Sequence, residues 1–422
     1  MLIINAPRGA GEITMSSYFT KQRFGSRNVS RNRRFSNGRS SFYFKTTRRA
    51  GGWGESIDIN KFIRKAVDPA VVRVDEIKHA FADFGFSPAL SANLGKRNYS
   101  KPTPVQDQSI KHIMGGKDII GLADTGTGKT AAFLLPLIDK VYHNRQEKVL
   151  IITPTRELAL QIDNELRAFA QDMRIYSAVC VGGMPIYAQI HSLRRSPNFV
   201  IGTPGRLKDL NLRHQIRFEQ FKNIVLDEVD RMLDMGFVDE IRNILGQLPS
   251  PRQSLFFSAT LPPRIKELTR QFLTNPVTVE VKTGETAANV EQDVVRVPNQ
   301  GAKFQTLHDL LNKDELKKVL IFNETKHGVE KLTEELVRSG FRAESIHGNK
   351  RQSQRQRSLT LFRDGSVNIL VATDVAARGL DIRNITHVIN YTVPQSFNDY
   401  IHRIGRTGRG ASTGKALTFV GA

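Results

Sequence analysis

The sequence predicts an α/β protein with two tandem domains, each built on a parallel β-sheet whose faces are covered by helices. From Lys117 onward, short runs rich in Val, Ile and Leu alternate with helix-length amphipathic stretches. This alternation is typical of buried parallel strands joined by helices. It lapses once, around residues 282–300, and then resumes, which predicts a domain boundary. The length of 422 residues is sufficient for two or three domains.

The predicted strands fall into two groups. The first group comprises 118–123, 148–154, 176–183, 198–204, 223–228 and 254–260. The second group comprises 318–324, 343–348, 368–373, 386–391 and 415–420. Segment 282–300, between the groups, is polar and contains glycine, which is typical of a linker. The predicted organisation is therefore a tail at 1–54, a lead-in segment at 55–80, a first domain at 81–281, a linker at 282–300 and a second domain at 301–422.

The composition excludes several classes of protein. Cys180 is the only cysteine, so the chain forms neither an intramolecular disulfide nor a cysteine-based zinc site, and a reducing compartment fits best. No apolar run approaches the ~18 residues that a membrane span needs. The 62 Lys and Arg exceed the 41 Asp and Glu by a net charge of +21, which favours a nucleic-acid partner. We expect a soluble, monomeric, cytoplasmic protein that makes no membrane contact.

About half of this excess charge lies in the tail. Residues 1–54 contain eleven Lys or Arg, a single acid (Glu12) and eight aromatic residues between Tyr18 and Trp53. Gly, Ser and Asn are frequent and no regular period is present, which predicts disorder. Such a tail suits a flexible RNA-binding arm, because cations neutralise phosphates and rings stack on unpaired bases. A solubilising tail and an organellar targeting signal are the alternatives.

A further hypothesis concerns the start of translation. The codons of Gly11 and Glu12 can spell a purine-rich sequence two codons upstream of Met15, similar to a bacterial ribosome-binding site. We therefore expect a bacterial origin, with translation starting at Met15 rather than Met1. The nucleotide sequence tests this directly.

The segment ADTGTGKT lies between a predicted strand and a helix that opens at Lys129. In this context, backbone N–H groups cradle phosphates, the lysine reaches the β- and γ-phosphates, and the threonine hydroxyl binds magnesium. Ala123 stands where the strict pattern has glycine. The alternative is a glycine-rich turn followed by a capped helix. The order of strand, loop and helix favours a phosphate site formed by Ala123, Asp124, Thr125, Gly126, Thr127, Gly128, Lys129 and Thr130.

An acidic cluster follows the apolar run at 223–226. Asp227, Glu228 and Asp230 surround Val229 in the sequence DEVD. Carboxylates at a strand end are often merely solvated. In a chain that also contains a phosphate loop, they predict a magnesium site.

Further motifs occur in an order that resembles the DEAD-box RNA helicases. The adenine-binding Q motif is matched by Phe81 and by YSKPTPVQ (99–106). The remaining motifs of the first domain are matched by PTRELA (154–159), Gly182 with Gly183, TPGR (203–206) and SAT (258–260). Those of the second are matched by IFNETK (321–326), Gln352 with Arg355, ATDVAARGLD (372–381) and HRIGRTGR (402–409). The resemblance covers about four fifths of the chain, from Phe81 to Val420.

The resemblance implies two RecA-like domains with ATP and Mg²⁺ bound between them and RNA bound across both. It assigns catalysis to Lys129, Asp227, Glu228, Arg406 and Arg409, and Mg²⁺ binding, partly through water, to Thr130 and Asp227. Besides the phosphate loop, it assigns nucleotide binding to Phe81, Tyr99, Gln106, Gly379 and Asp381. It assigns RNA binding to Pro154, Thr155, Arg156, Gly183, Thr203, Gly205, Arg206, Gln352, Arg355 and Thr373. Coupling of nucleotide state to closure is assigned to Asp230, Ser258, Thr260 and His402.

The implied function is an RNA-dependent ATPase that locally unwinds or remodels short RNA duplexes and RNA–protein complexes. Glu228 would orient the attacking water, and Arg406 and Arg409 would be arginine fingers from the second domain. The arginines arrive only when the domains close on single-stranded or duplex RNA, so hydrolysis should depend on RNA. The alternative is a nonenzymatic RNA chaperone that uses ATP only as a clamp. Val229 replaces the usual alanine. We expect a small packing adjustment at this position, which would affect the coupling of nucleotide state to domain closure through Asp230.

Overall fold

The computed structural model describes residues 62–63, 77–124, 126–281, 289–377, 382, 384–408 and 413–421. The predicted tail at 1–54, most of the lead-in segment and residues 282–288 of the linker lie outside the described residues. The same holds for four predicted site residues, Thr125, Gly379, Asp381 and Arg409. Among the helices that the structure describes, none is long and apolar enough to cross a membrane.

The first sheet has seven parallel strands within the described residues, in the order β3-β4-β2-β5-β6-β1-β7. The strands are β1 Ile119–Leu122, β2 Val149–Ile152, β3 Ser177–Cys180, β4 Phe199–Gly202, β5 Asn223–Leu226, β6 Gln253–Ser258 and β7 Val277–Glu280. Its helices are α1 Pro88–Lys96, α2 Pro104–Met114, α3 Lys129–His143, α4 Arg156–Phe169, α5 Ile186–Arg194, α6 Pro204–Leu212, α7 Val229–Asp234, α8 Val238–Gly246 and α9 Pro263–Phe272. Short 3₁₀ helices lie at Phe81–Phe84 and Phe218–Gln220.

The second sheet has six parallel strands within the described residues, in the order β10-β11-β9-β12-β13-β8. The strands are β8 Val290–Arg296, β9 Val319–Phe322, β10 Ala343–Ile346, β11 Ile369–Ala372, β12 His387–Asn390 and β13 Gly414–Val420. Its helices are α10 Ala302–Leu311, α11 Lys326–Arg338, α12 Gln352–Asp364, α13 Asp374–Ala377 and α14 Phe397–Ile404. Both sheets belong to one compact unit.

The central strands are apolar on both faces because helices cover both sides of each sheet. In β2, Val149 and Ile151 belong to one hydrophobic cluster, whereas Leu150 and Ile152 belong to a second. Strand β9 alternates in the same way between the two clusters of the second sheet. Each predicted apolar run contains or overlaps one of these strands, and the prediction of two parallel α/β domains is confirmed.

The predicted linker was too long. Strand β8 lies inside 282–300 and pairs in parallel with β13 along its whole length. Its burial alternates, since Val290 and Gln292 are buried while Glu291 and Asp293 are exposed. An edge strand with polar outward residues has no continuous apolar run, so composition alone reads it as linker. The second domain therefore begins at β8 rather than at residue 301.

Candidate nucleotide and RNA site

Three predicted motifs meet at one edge of the first sheet. Strands β5, β6 and β1 are neighbours, and all of them run in the same direction. The loops that follow their carboxyl ends therefore lie side by side, in the crevice where parallel α/β sheets bind ligands. These loops contain DEVD, SAT and the phosphate loop, respectively. The backbone joins two of them directly, because Ala123 N donates to Ser258 O at 3.1 Å.

The phosphate loop has the backbone that its glycines permit. Gly126 and Gly128 have φ of +86° and +97°, values that side chains of L-residues rarely allow. A Cβ on Gly128 would also lie 2.5 Å from Gln106 Nε2. The buried Lys129 Nζ donates to Ala123 O at 2.6 Å, and Thr127 Oγ1 donates to the carbonyl of Asp124 at 2.8 Å. Thr130 is the second residue of α3.

Gln106 connects the Q motif to the phosphate loop. Its side chain is buried, and its Oε1 accepts from Thr103 N at 2.9 Å within a capping box at the start of α2. Its Nε2 donates to the carbonyl of Gly128 at 3.0 Å. The sequence predicted only an adenine contact for Gln106. Its bond to the loop depends on the packing of α2 beside α3 and has no local signal in the sequence.

The two aromatic residues of the Q motif lie in the hydrophobic core of the first domain. Phe81 is buried, and its ring centroid lies 5.9 Å from that of Tyr99. The Tyr99 ring also makes an edge contact with Phe169, at 5.3 Å between centroids. The Arg97 guanidinium lies 4.9 Å from the Phe169 centroid. Stacking of Tyr99 on adenine stays a prediction.

The first two carboxylates of DEVD are buried, and their pKa values shift in opposite directions. Burial raises the pKa of Asp227 to about 7, although Lys129 partly opposes the rise. Burial also disfavours the charged form of Glu228, but the positive charges of Arg231, Arg406 and Lys129 outweigh it and hold its pKa below the usual value. Glu228 has a positive φ of 54° and accepts from Arg231 Nη1 at 2.7 Å. The surroundings of Glu228 at the carboxyl end of β5 therefore favour its ionised form.

Asp230 joins DEVD to the SAT segment. Its Oδ2 accepts from the backbone N of Ala259 and of Thr260, each at 3.0 Å, and from the Thr260 hydroxyl at 3.1 Å. Asp230 N donates to Ser258 Oγ at 3.3 Å. Val229 is fully buried in the core beside them, and Asp230 makes these hydrogen bonds with valine at position 229. DEVD and SAT are therefore joined directly, and the coupling role of these residues stays a prediction.

Residues of both domains line one cavity. Its lining comprises Lys129, Glu228, Asp230, Arg231 and Ala259 from the first domain with His402 and Arg406 from the second. Arg406 is buried, and its Nε donates to the carbonyl of His402 at 3.2 Å. Opposite charges from the two domains, Arg406 and Glu228, therefore share a desolvated space, where electrostatic attraction is strong.

Sequence reasoning missed several residues that support this arrangement. Arg403 forms a two-point ion pair with Asp374, at 2.6 and 2.7 Å, and so fixes α14 beside α13. Arg231 reaches from DEVD to the second domain, where its Nη2 donates to the carbonyl of Val375 at 3.3 Å. Both arginines lie next to or inside predicted motifs, but their partners are distant in sequence.

The predicted RNA-binding residues of the first domain lie at the ends of β2, β3 and β4, on the other side of β5 from the phosphate loop. Thr155 caps α4, and its hydroxyl accepts from Leu158 N at 3.3 Å. The Arg156 guanidinium lies against Gly183, where a Cβ would be 2.0 Å from its Nη1. Pro154, Thr203, Gly205 and Arg206 occupy the same edge, with Arg206 Nη1 donating to Met184 O at 3.4 Å.

Two of the three predicted RNA-binding residues of the second domain, Gln352 and Arg355, contact the first domain. Gln352 Nε2 donates to Glu157 Oε1 at 3.0 Å, and Arg355 Nη2 lies 2.9 Å from Glu157 Oε2. All three side chains are buried. The contact joins α4 to α12, and Glu157 was not among the predicted site residues. Thr373 follows β11 and is buried at the same end of the second sheet.

The side-chain oxygen atoms of Asp227 and Thr130 at this edge are of the kind that bind Mg²⁺. Asp227 contributes a buried carboxylate whose pKa is raised mainly by desolvation, and a bound cation would favour its ionised form. Thr130 contributes a hydroxyl one residue beyond Lys129. Mg²⁺ prefers oxygen ligands and usually binds through one or two carboxylates together with substrate phosphates. The described residues contain no group of three His, Cys, Asp or Glu side chains that could hold a metal ion by themselves.

Comparison with known proteins defines the class. The family model described as "DEAD/DEAH box helicase" matches residues 103–268, and "Helicase conserved C-terminal domain" matches residues 302–411. The chain belongs to the DEAD-box family of ATP-dependent RNA helicases. The family prediction made from the motifs is thereby confirmed.

Individual relatives extend this result. The chain is 44% identical to the DEAD-box ATP-dependent RNA helicase CshA of Bacillus subtilis strain 168 over 342 residues, which cover 81% of this chain and 69% of the relative. It is 43% identical to the CshA of Limosilactobacillus reuteri, with the same coverage of both chains.

Among solved structures, S. cerevisiae Dbp5 bound to RNA and ADP BeF3 matches with a TM-score of 0.73 and 28% identity, over 82% of this chain and 90% of Dbp5. Mss116p bound to ssRNA and AMP-PNP matches with a TM-score of 0.74 and 28% identity, over 82% and 76%. Both sheets thus belong to tandem RecA-like domains.

Proposed function

We propose that the protein is an RNA-dependent ATPase that uses Mg²⁺ and ATP to unwind or remodel short RNA duplexes and RNA–protein complexes locally. The observation that carries this proposal is the cavity lined by Lys129 and Glu228 of the first domain and by His402 and Arg406 of the second. A phosphate-binding lysine, an ionised carboxylate and an arginine are the groups that phosphoryl transfer to water requires.

Each group has a distinct task in the proposed reaction. Lys129 binds the transferred phosphoryl group, and Glu228 orients the attacking water by accepting a hydrogen bond from it. Arg406 stabilises negative charge that develops in the transition state. Mg²⁺, when bound at Asp227 and Thr130, supplies further neutralisation of phosphate charge. Since Arg406 belongs to the other domain, turnover requires the two domains to be closed.

RNA is proposed to favour the closed state because its binding residues lie on both domains. Gln352 Oε1 and Arg355 Nε are buried atoms that have no hydrogen-bond partner among the described residues. An unused acceptor suits a ribose 2′-hydroxyl and an unused guanidinium N–H suits a phosphate. One strand held across both domains would exclude its complement, which is the basis proposed for local strand separation.

We further infer that the protein acts as a monomer in the bacterial cytoplasm. The relatives with 43–44% identity come from bacteria. The single cysteine, Cys180, is buried, and burial raises its thiol pKa to about 12, so it has the properties of a packed core residue rather than a redox group.

Release of inorganic phosphate, measured with and without RNA, tests the proposed function. The full chain should be stimulated by RNA, and Glu228→Gln should lower this turnover by roughly 10²- to 10⁴-fold, the range for loss of a proton-accepting catalytic group. Nucleotide binding should be retained. Glu267→Gln, on an exposed carboxylate paired with Arg242, is the matched control.

Two outcomes would contradict parts of this proposal. Parental turnover by Glu228→Gln would exclude Glu228 as the water-orienting residue. Strand annealing without RNA-stimulated hydrolysis by the parent protein would instead support an RNA chaperone clamped by ATP.

A further inference from the structure

A residue that precedes the first domain in sequence is buried in the second domain. Phe62 is only 1% exposed and lies in a hydrophobic cluster with Val290, Tyr400, Ile404 and Ala416. Its ring centroid is 4.6 Å from that of Tyr400, within the range of favourable aromatic pairs. The adjacent Ile63 is 53% exposed, so the burial is specific to Phe62.

The pocket that holds Phe62, formed by Val290, Tyr400, Ile404 and Ala416, is well ordered by hydrogen bonding and strand pairing. Tyr400 is fully buried, and its hydroxyl donates to Gln292 Oε1 at 2.9 Å. Gln292 belongs to β8 and Ala416 to the paired strand β13, so the second sheet fixes both. A buried aromatic ring whose polar atom is satisfied is a rigid packing partner.

The pocket lies behind the helix that contributes to the nucleotide cavity. Tyr400 and Ile404 are four residues apart on α14, so they lie on the same face, and both belong to the cluster that contains Phe62. The same helix carries His402, and the turn after it carries Arg406; both residues line the cavity with Glu228. Phe62 therefore packs against the opposite face of α14 from His402.

Residues just before the first domain form a second set of contacts, this time with the first domain. The backbone N of Lys78 and of His79 donate to the Asp107 carboxylate at 3.0 and 3.1 Å. His79 Nδ1 also lies 2.7 Å from Asp107 Oδ1. Asp107 follows Gln106 on α2 and is itself buried, so this attachment is part of the first domain.

We propose that Phe62 anchors the chain to the second domain and is a positioning residue for α14. By filling the pocket beside Tyr400 and Ile404, the Phe62 ring holds the helix that carries His402 and that leads to Arg406. The position of these two residues at the cavity shared with the first domain then depends on the Phe62 side chain, so Phe62 influences how readily the two domains close on RNA.

The proposal rests on the proposed function because it assumes that closure of the two domains precedes hydrolysis. Its test uses the full chain with Phe62→Ala, the conservative Phe62→Leu and the neighbouring control Ile63→Ala. Phe62→Ala should raise the RNA concentration needed for half-maximal phosphate release by about tenfold, within the usual range of coupling between sites. Nucleotide affinity without RNA should be unchanged, because the phosphate loop lies in the first domain. Phe62→Leu should be intermediate and Ile63→Ala parental.

Hydrogen exchange supplies a readout independent of activity. In Phe62→Ala, the amides of α14 should exchange faster while those of α11, on the same domain, keep the parental rate. Parental exchange in α14 together with parental RNA dependence would overturn the proposal. Faster exchange in both domains with loss of nucleotide binding would also overturn it, because Phe62 would then support only global stability. If the parent shows no RNA stimulation, the proposed function fails, and α14 exchange still decides whether Phe62 anchors the helix.

Discussion

The hydrogen bonds of Gln106 would let it both support the phosphate loop and bind adenine. Its Nε2 donates to Gly128 O and its Oε1 accepts from Thr103 N, but an amide nitrogen has a second hydrogen and an amide oxygen a second lone pair. The remaining donor and acceptor match the edge of adenine, whereas guanine presents the reverse pattern. Gln106 therefore has the capacity both to shape the phosphate loop and to select the base.

Replacing Gln106 with Ala should separate these two effects. Loss of the hydrogen bond to Gly128 should weaken ATP and GTP binding alike, by less than about tenfold for a bond worth about 1 kcal/mol. Loss of the base contact should weaken ATP further and leave GTP at that common value. Fluorescence titration with both nucleotides measures the difference. Equal losses for ATP and GTP would limit Gln106 to a structural role in the loop.

At the scale of elements, α14 and the turn after it connect the core of the second domain to the nucleotide cavity. Arg403 holds the helix through Asp374 on α13, and Arg406 extends toward Glu228. Arg403 also donates to Thr392 O at 2.7 Å. The two arginines are three residues apart, yet one is bound by its own domain and the other lines a cavity shared with the first domain.

Arg406→Ala should lower RNA-stimulated turnover by roughly 10³-fold, the lower end of the effect of an arginine finger. Nucleotide binding to the first domain should change little, because the phosphate loop does not depend on Arg406. Single-turnover hydrolysis and nucleotide titration measure the two quantities. Arg338→Ala is the control, since this arginine of the second domain has a side chain 75% exposed and pairs only weakly with Glu334. A loss confined to nucleotide affinity would exclude the finger assignment.

For the whole molecule, the distribution of charge suggests separate contributions to RNA binding. Residues 1–54 have a net charge of +10 and the remaining residues +11, within the total of +21. One predicted contribution comes from the edge of the first sheet that carries Arg156 and Arg206, which lies in the described part of the chain. The tail lies outside it, and its role as an RNA-binding arm stays a prediction.

Deleting residues 1–54 should leave turnover at saturating RNA nearly unchanged and lower the apparent affinity for RNA. If about five of the eleven cations of the tail bind a single strand, the slope of log affinity against log salt becomes shallower by about 3.5. The loss should be similar for RNAs of unrelated sequence, because phosphate contacts are not sequence-specific. Fluorescence anisotropy at several salt concentrations measures the slope. An unchanged slope would leave a solubilising or targeting tail.

The amino-acid sequence alone predicted the fold class, the strands with continuous apolar runs, the phosphate loop and the acidic cluster DEVD. These features are local: a buried parallel strand needs a run of apolar residues, and a phosphate loop needs glycines beside Lys129 and a following helix. Their chemical interpretation needed only the order of residues along the chain, which is why the family could be recognised from its motifs.

Contacts between residues that are distant in sequence became visible only in the folded structure. Glu157 and Gln352 are 195 positions apart, and Tyr400 and Gln292 are 108 apart, so no local pattern pairs them. Strand β8 was mistaken for linker because its outward residues are polar, and Phe62 gave no signal because its pocket is formed by the second domain. Such contacts depend on strand order and on the packing of one domain against the other, which is long-range information that periodicity and local motifs do not contain.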